Sequence, residues 1–240
     1  MRYAELNCLS NFSFLKSASH PEELVLAAVV NRYYAIALTD ECSFTGIVRA
    51  HEESRKHGIK FIIGTSITVS EGSTVVLLAN TLRAYRGISK LITLGRSREA
   101  KGKYLLSLED LAILDDGLVI FKATDIAIKR ETLCRLKEQF NDRFWLGFGN
   151  FYEGYNQRFY EKICAEAYFL DVPVTALGDV RMHKYARRFL LDTVTAIRLK
   201  TTLDEIGLSN FSNSERYLRP LSRLQNLYPK QMLDETIKIA

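Results

Sequence analysis

Short apolar runs of strand character, most of them followed by an amphipathic segment of helical period, recur along the whole chain. The runs are residues 3–9, YAIALTD (34–40), IKFIIG (59–64), STVVLLA (73–79), GLVIFKA (117–123), DRFWLGF (142–148) and VPVTALG (172–178). They make roughly seven strands. Helical segments are expected over 44–57, from Leu82 through Tyr85, Ile88 and Ile92, and over 129–139, 154–170 and 184–198. SHPEELVLAAVVNR opens another helix with a capping box, Ser19 accepting from the first turn and Glu22 reaching back, and with Pro21 where amides have no helical partner. In the 44–57 segment Phe44, Ile47, Val48 and His51 share a face, and Gly58 is the stop signal. Alternating βα units imply a parallel sheet with helices outside it. The spacing suits a doubly wound sheet or a closed barrel, and periodicity does not choose between them.

In both architectures the ligand site lies at the carboxyl ends of the strands. Those ends offer Asn7 and Leu9, Asp40 and Glu41, Thr65 and Ser66, Gly149 and Asn150, and Asp179 with Arg181. Strand alternation points Asn7 and Leu9 to one side, the geometry of a ligand pair. Their chemistry is wrong for metal, since an amide is a weak neutral ligand and leucine is none. Of the four histidines, His20 sits in a capping turn, His51 on a helix face and His57 in a last helical turn. His183 begins a helix close in sequence to Asp179.

Other chemistries are excluded by missing motifs. There is no GxSxG, no GxGxxG and no GxxxxGK[ST]. GFGNFYEG is glycine-rich but reads as a turn before a helix. Cys8, Cys42, Cys134 and Cys164 form no CxxC pair, which argues against a zinc ribbon and a disulfide framework. No apolar run approaches the ~20 residues that cross a bilayer, and MRYAELN lacks a signal pattern, so a cytoplasmic protein with no membrane partner is expected.

The net charge of +5 is permissive for nucleic acid. Basic residues concentrate in two runs. One holds Arg83, Arg86, Lys90, Arg96, Arg98, Lys101 and Lys103; the other holds Arg181, Lys184, Arg187, Arg188, Arg198 and Lys200. From about residue 199 the βα rhythm gives way to loop and two short helices, punctuated by Pro220 and Pro229.

Three blocks, ELNCLSNFSFLKSASHPEEL, ALTDECSFTGIVRAHEESRKHGIKFIIGTS and ALGDVRMHKYARRFLLDTVTAIR, resemble the main blocks of a PHP (polymerase and histidinol phosphatase) domain. They are similar to the N-terminal domain of bacterial error-prone DNA polymerases, C-family relatives of the polymerase III alpha subunit. NSERYLRPLSRLQNLYPKQMLDETIKIA resembles that family's run toward the polymerase palm. The resemblance implies an α/β fold, a distorted (β/α)7 barrel over 1–198 with a short helical C-terminal extension over 199–240. It also implies a multinuclear metal site at the strand ends, which in active members hydrolyses phosphoesters.

This sequence departs from that ligand set. Asn7 and Leu9 stand for the opening histidine pair, Glu41 for a histidine after the Asp, Ser66 for a glutamate, and Gly149 and Arg181 for histidines. Only Asp40 and Asp179 match, with Glu41 and His183 as weaker donors. Two carboxylates without imidazole partners hold a metal cluster poorly and repel each other if buried. The Arg181 guanidinium can supply the missing positive charge to Asp40 or Asp179. The resemblance therefore points to a non-catalytic PHP module of a DNA replication or translesion repair polymerase, with no cofactor. The remainder of the polymerase or its replication and repair partners, and DNA, are the expected contacts. The alternatives are a phosphoesterase using zinc or manganese in a reduced site, and a module that binds nucleic acid or polymerase through the basic runs.

Overall fold

The computed structural model describes residues 2–123, 129–152, 156–207 and 211–240. Seven strands form one sheet in sequence order: β1 (Ala4–Cys8), β2 (Ala35–Leu38), β3 (Lys60–Thr68), β4 (Thr74–Ala79), β5 (Leu118–Ala123), β6 (Phe144–Phe148) and β7 (Val174–Ala176). The eight α-helices among the described residues are α1 (Pro21–Val30), α2 (Ile47–His57), α3 (Leu82–Ser97), α4 (Arg130–Phe140), α5 (Asn156–Leu170), α6 (Arg188–Leu199), α7 (Leu221–Leu227) and α8 (Lys230–Ile239).

The sheet is mixed, which corrects the all-parallel expectation. β1–β2–β3 and β5–β6–β7 run parallel, while β4 is antiparallel to both neighbours. The reason is length. β3 continues through Thr68, leaving Val69–Ser73 before β4, too short for the crossover that a parallel pair needs. The link is a hairpin, with Gly72 in the left-handed region.

The strands curl toward closure. At their carboxyl ends Cys8 forms a parallel bridge with Val180, as Leu9 N donates to Val180 O and Val180 N to Asn7 O, both at 2.9 Å. At the opposite end α8 takes the place of a strand partner, where Ala4 N donates to Thr236 Oγ1 at 3.2 Å. Ile239 joins the inner apolar cluster of Ala4, Leu6, Ala37, Val76, Leu78, Ile120 and Leu177. Alternation sorts the rest: in β2, Ala35 and Ala37 face this cluster, whereas Ile36 and Leu38 face the larger layer beneath the helices.

Local details differ from sequence expectation by small shifts. His20, not Ser19, caps α1, and its amide donates to the Glu23 carboxylate at 2.9 Å. Ser19 is withdrawn to His183. α2 starts at Ile47, and its buried face is Ile47, Ala50, Glu53 and Ser54, leaving Val48 and His51 exposed. Phe44 stacks on Tyr85 from outside the helix, with ring centroids 5.1 Å apart. α3 buries Ala84, Ile88, Leu91 and Gly95, while Leu82 is exposed. The 184–198 segment begins as a 3-10 turn over Tyr185–Arg187. The turn expected in GFGNFYEG runs into 153–155, outside the described residues.

Candidate functional site: a cation-filled pocket at the strand ends

Asp179 follows β7 with φ at 42°, in the left-handed region that asparagine and aspartate tolerate better than most residues. The turn brings its carboxylate under the strand ends, only 3% exposed. Lys122 Nζ, from the end of β5, donates to Oδ1 at 2.5 Å, and Arg181 Nη2 donates to the same oxygen at 3.1 Å. Arg216 Nη1 donates to Oδ2, and Asn7 Nδ2 reaches Oδ1 at 3.4 Å. Arg216 is held by Phe151 and Phe211, with its guanidinium carbon 4.0 and 4.4 Å from the two ring centroids.

Three cations around one carboxylate set the protonation states. Burial alone would raise the Asp179 carboxyl, but Arg181, Lys122 and Arg216 overcome it and hold the group well below the usual carboxylate range. Lys122 moves the other way. Burial lowers its ammonium to about 8, Arg181 and Arg216 push in the same direction, and Asp179 only partly restores it.

Asp40, the other retained carboxylate, does not join this cluster. It accepts from Ser10 N at 2.7 Å, Ser10 Oγ at 2.7 Å and Ser13 Oγ at 2.6 Å. Burial nevertheless raises its carboxyl against those bonds. Its contacts tie the loop after β1 to the end of β2. Glu41 is likewise engaged: it pairs with Lys16 and accepts from Tyr104 Oη at 3.0 Å. Burial would raise it, and the Lys16 contact brings it below its ordinary value.

The remaining positions are filled by packing or neutral hydrogen bonds. Asn7 Oδ1 accepts from Thr39 Oγ1 at 2.8 Å and Ser66 Oγ at 3.1 Å, and Leu9 is buried in the wall of the same pocket. A Cβ at Gly149 would stand 2.5 Å from the Phe151 ring, so a side chain at that position requires the ring to move. His183 lies with Ser19 Oγ, 2.8 Å from its Nδ1, and with Glu23, 3.7 Å away; its partners are not those of Asp179. Burial lowers its pKa.

The structure thus brings Asn7, Ser66, Asp179 and Arg181 together and leaves Asp40, Glu41 and His183 with other partners. Among the described residues no three His, Cys, Asp or Glu side chains are grouped to hold a metal ion. The donor set does not fit a multinuclear cluster, because an ammonium and two guanidinium groups occupy the lone pairs of its one central carboxylate. Sequence reasoning missed Lys122 and Arg216. Lys122 had a signal, a lone charge in the apolar strand GLVIFKA; Arg216 had none.

The comparisons with known proteins bear on the family and the fold. The PHP domain family matches residues 5–142, more than half of the chain. A protein named error-prone DNA polymerase from Pseudomonas syringae pv. syringae is 41% identical over 242 residues, spanning 99% of this chain and 24% of its own length. One of the same name from Methylococcus capsulatus is 43% identical over 240 residues, spanning 99% of this chain and 23% of its own length. The chain therefore spans about a quarter of the length of these curated relatives. In fold it is similar to a candidate metal-dependent phosphoesterase from Bifidobacterium adolescentis, with a TM-score of 0.56 at 17% identity over 74% of this chain and 87% of the other. It is also similar to an amidohydrolase from Chromobacterium violaceum with bound sulfate and no metal, with a TM-score of 0.55 at 15% identity over 75% and 88%. With a family match over more than half of its length and a fold similar to these structures, this chain belongs to the PHP domain family.

Proposed function

We propose that the chain is the PHP module of an error-prone-type DNA polymerase, that it is architectural, and that fixed side-chain cations hold together what metal ions hold in active relatives. Residues 1–198 are the barrel and 199–240 an extension whose last helix also serves as a barrel wall. Its partners would be the rest of a polymerase and other cytoplasmic replication and repair proteins. The observation that carries this reading is the Asp179 cluster. Lys122, Arg181 and Arg216 compensate its charge and take its lone pairs. A metal ion would have to displace cations from a buried carboxylate, losing their charge-assisted hydrogen bonds.

The test is a phosphoesterase assay with manganese or zinc on the wild type, Asp40→Ala and Asp179→Ala. No metal-dependent turnover above the no-enzyme rate is expected. Turnover in the wild type that disappears in both variants would overturn the reading in favour of a reduced catalytic site.

A further inference from the structure

The two basic runs, far apart in sequence, meet in the fold. Arg96 from the last turn of α3 and Arg198 with Lys200 from the end of α6 line one groove of about 510 Å³. The loop after β1 forms the facing wall through Phe12, Phe14 and Lys16. This groove shares Lys16, Glu41 and Arg198 with the strand-end pocket of about 230 Å³, where Lys122 and Arg181 stand. Among the described residues six cations therefore line the two adjoining cavities, against a single lining carboxylate, Glu41, which Lys16 already pairs; Lys122 and Arg181 also share the buried Asp179.

A helix carboxyl end accounts for one arginine in each last turn. It does not account for two such ends converging, nor for Arg96, Arg198 and Lys200 having no acidic partner among the described residues, whereas Arg98, at the C-cap of α3, is paired with Asp110. Arg96 donates to three backbone carbonyls, of Cys42, Lys103 and Glu41, so its charge is oriented but not neutralised. Among the described residues no carboxylate pairs with Arg198 or Lys200. Deeper in, Arg181 Nε is buried without a hydrogen-bond partner among the described residues, a costly state for a donor. The apolar component is equally pointed: Phe14 is 79% exposed on the groove wall. A basic groove with an open aromatic ring is the arrangement that tracks a phosphate backbone and stacks an unpaired base. Duplex nucleic acid keeps its bases stacked inside and has no use for that ring.

We propose that this groove binds single-stranded DNA, with phosphates along Arg96, Arg198 and Lys200, a base on Phe14, and one phosphate directed into the pocket of Lys122 and Arg181. This goes beyond the architectural role: the groove contacts of Arg96, Arg198, Lys200 and Phe14 stand apart from the Asp179 cluster, while the pocket phosphate rests on the proposed function.

The experiment is fluorescence anisotropy of labelled oligothymidine with the full 240-residue chain across a salt series. Four comparisons are run: Arg198→Ala with Lys200→Ala, Phe14→Ala, Arg83→Ala with Arg86→Ala on α3 outside the groove, and a duplex of equal length. Salt-sensitive binding is expected. The Arg198/Lys200 variant should weaken it about tenfold and flatten the salt slope by roughly 1–2 units. Phe14→Ala should weaken single-strand binding several-fold and spare the duplex, and the Arg83/Arg86 variant should match wild type. Pyrophosphate should compete only at far higher concentration than oligothymidine. The proposal is overturned by no binding at low salt, by an Arg198/Lys200 variant that binds like wild type, by a duplex bound equally well with Phe14→Ala silent, or by pyrophosphate competing as well as the strand.

Discussion

Lys122 Nζ stands 2.5 Å from Asp179 Oδ1, joining the end of β5 to the turn after β7 across 57 residues of sequence. Both side chains are almost wholly withdrawn from solvent. Such a pair is costly to form, and breaking it from one side is worse than never having it. Because two arginines share the same carboxylate, the two halves of the pair are unequal. Asp179→Ala strands three cations and should cost about 3–5 kcal/mol. Lys122→Ala leaves Asp179 with Arg181 and Arg216 and should cost less, roughly 1–3 kcal/mol. Urea denaturation of the two variants measures both, and a neutral Asp179→Ala would sink the cluster as a stabilising element.

Lys122 also gives stability a pH signature. Its folded pKa of about 8 lies below its ordinary 10.5, so between those values the unfolded chain binds more protons than the folded one. Stability from this group therefore rises with pH through that window. Asp179 acts in the opposite region. Its depressed carboxyl stabilises above the ordinary carboxylate pKa, and that stabilisation is lost as pH falls below it. Relative to wild type, Lys122→Met should lose the alkaline rise, a difference of roughly 1–3 kcal/mol between about pH 7 and about pH 10. Parallel stability curves for the two proteins would contradict the assignment.

Asp40 is read as a tether for the loop after β1, with two serine hydroxyls and an amide converging on it. Gly46 crowds the same oxygen, since a Cβ there would stand 2.8 Å from Asp40 Oδ2 and 3.0 Å from Ser10 Oγ. Asp40→Ala and Gly46→Ala should both destabilise, by about 1–3 kcal/mol each. Limited proteolysis should then cut within residues 10–16 faster than in wild type. Unchanged cleavage there would argue against the tether.

The last helix completes the barrel. Thr236→Val removes the acceptor of Ala4 N and should cost about 1–2 kcal/mol. The only tryptophan, Trp145, donates from Nε1 to Glu235 of α8 at 3.3 Å. Its fluorescence should therefore shift to the red when α8 is deleted from Lys230 onward. An unchanged emission spectrum would show that α8 does not shield this edge.

Much of this was legible in the sequence, and the exceptions have physical causes. The strands announced themselves because both sheet faces are buried, which makes apolar runs such as YAIALTD continuous. The direction of β4 was missed because it turns on where β3 ends, and Thr65–Thr68 carries no breaker before Glu71–Gly72. Asp179 and Arg181 could be paired on paper because they sit two residues apart. Arg216 could not, since it comes from an irregular segment that only the fold carries back to the pocket through its backbone bonds to Arg181 and Met182. Asp40 looked like a ligand because a carboxylate at a strand end serves equally well for metal or for serine hydroxyls. Only its neighbours decide which.

In the proposed reading, protein cations occupy the place of the metal cluster. The decisive measurement is anomalous scattering from a crystal of the 240-residue chain soaked in manganese. No anomalous peak is expected within coordination distance of Asp179, with Lys122 Nζ and the Arg181 and Arg216 guanidinium groups still on its oxygens. A peak bound to Asp179, with those cations swung away, would contradict it.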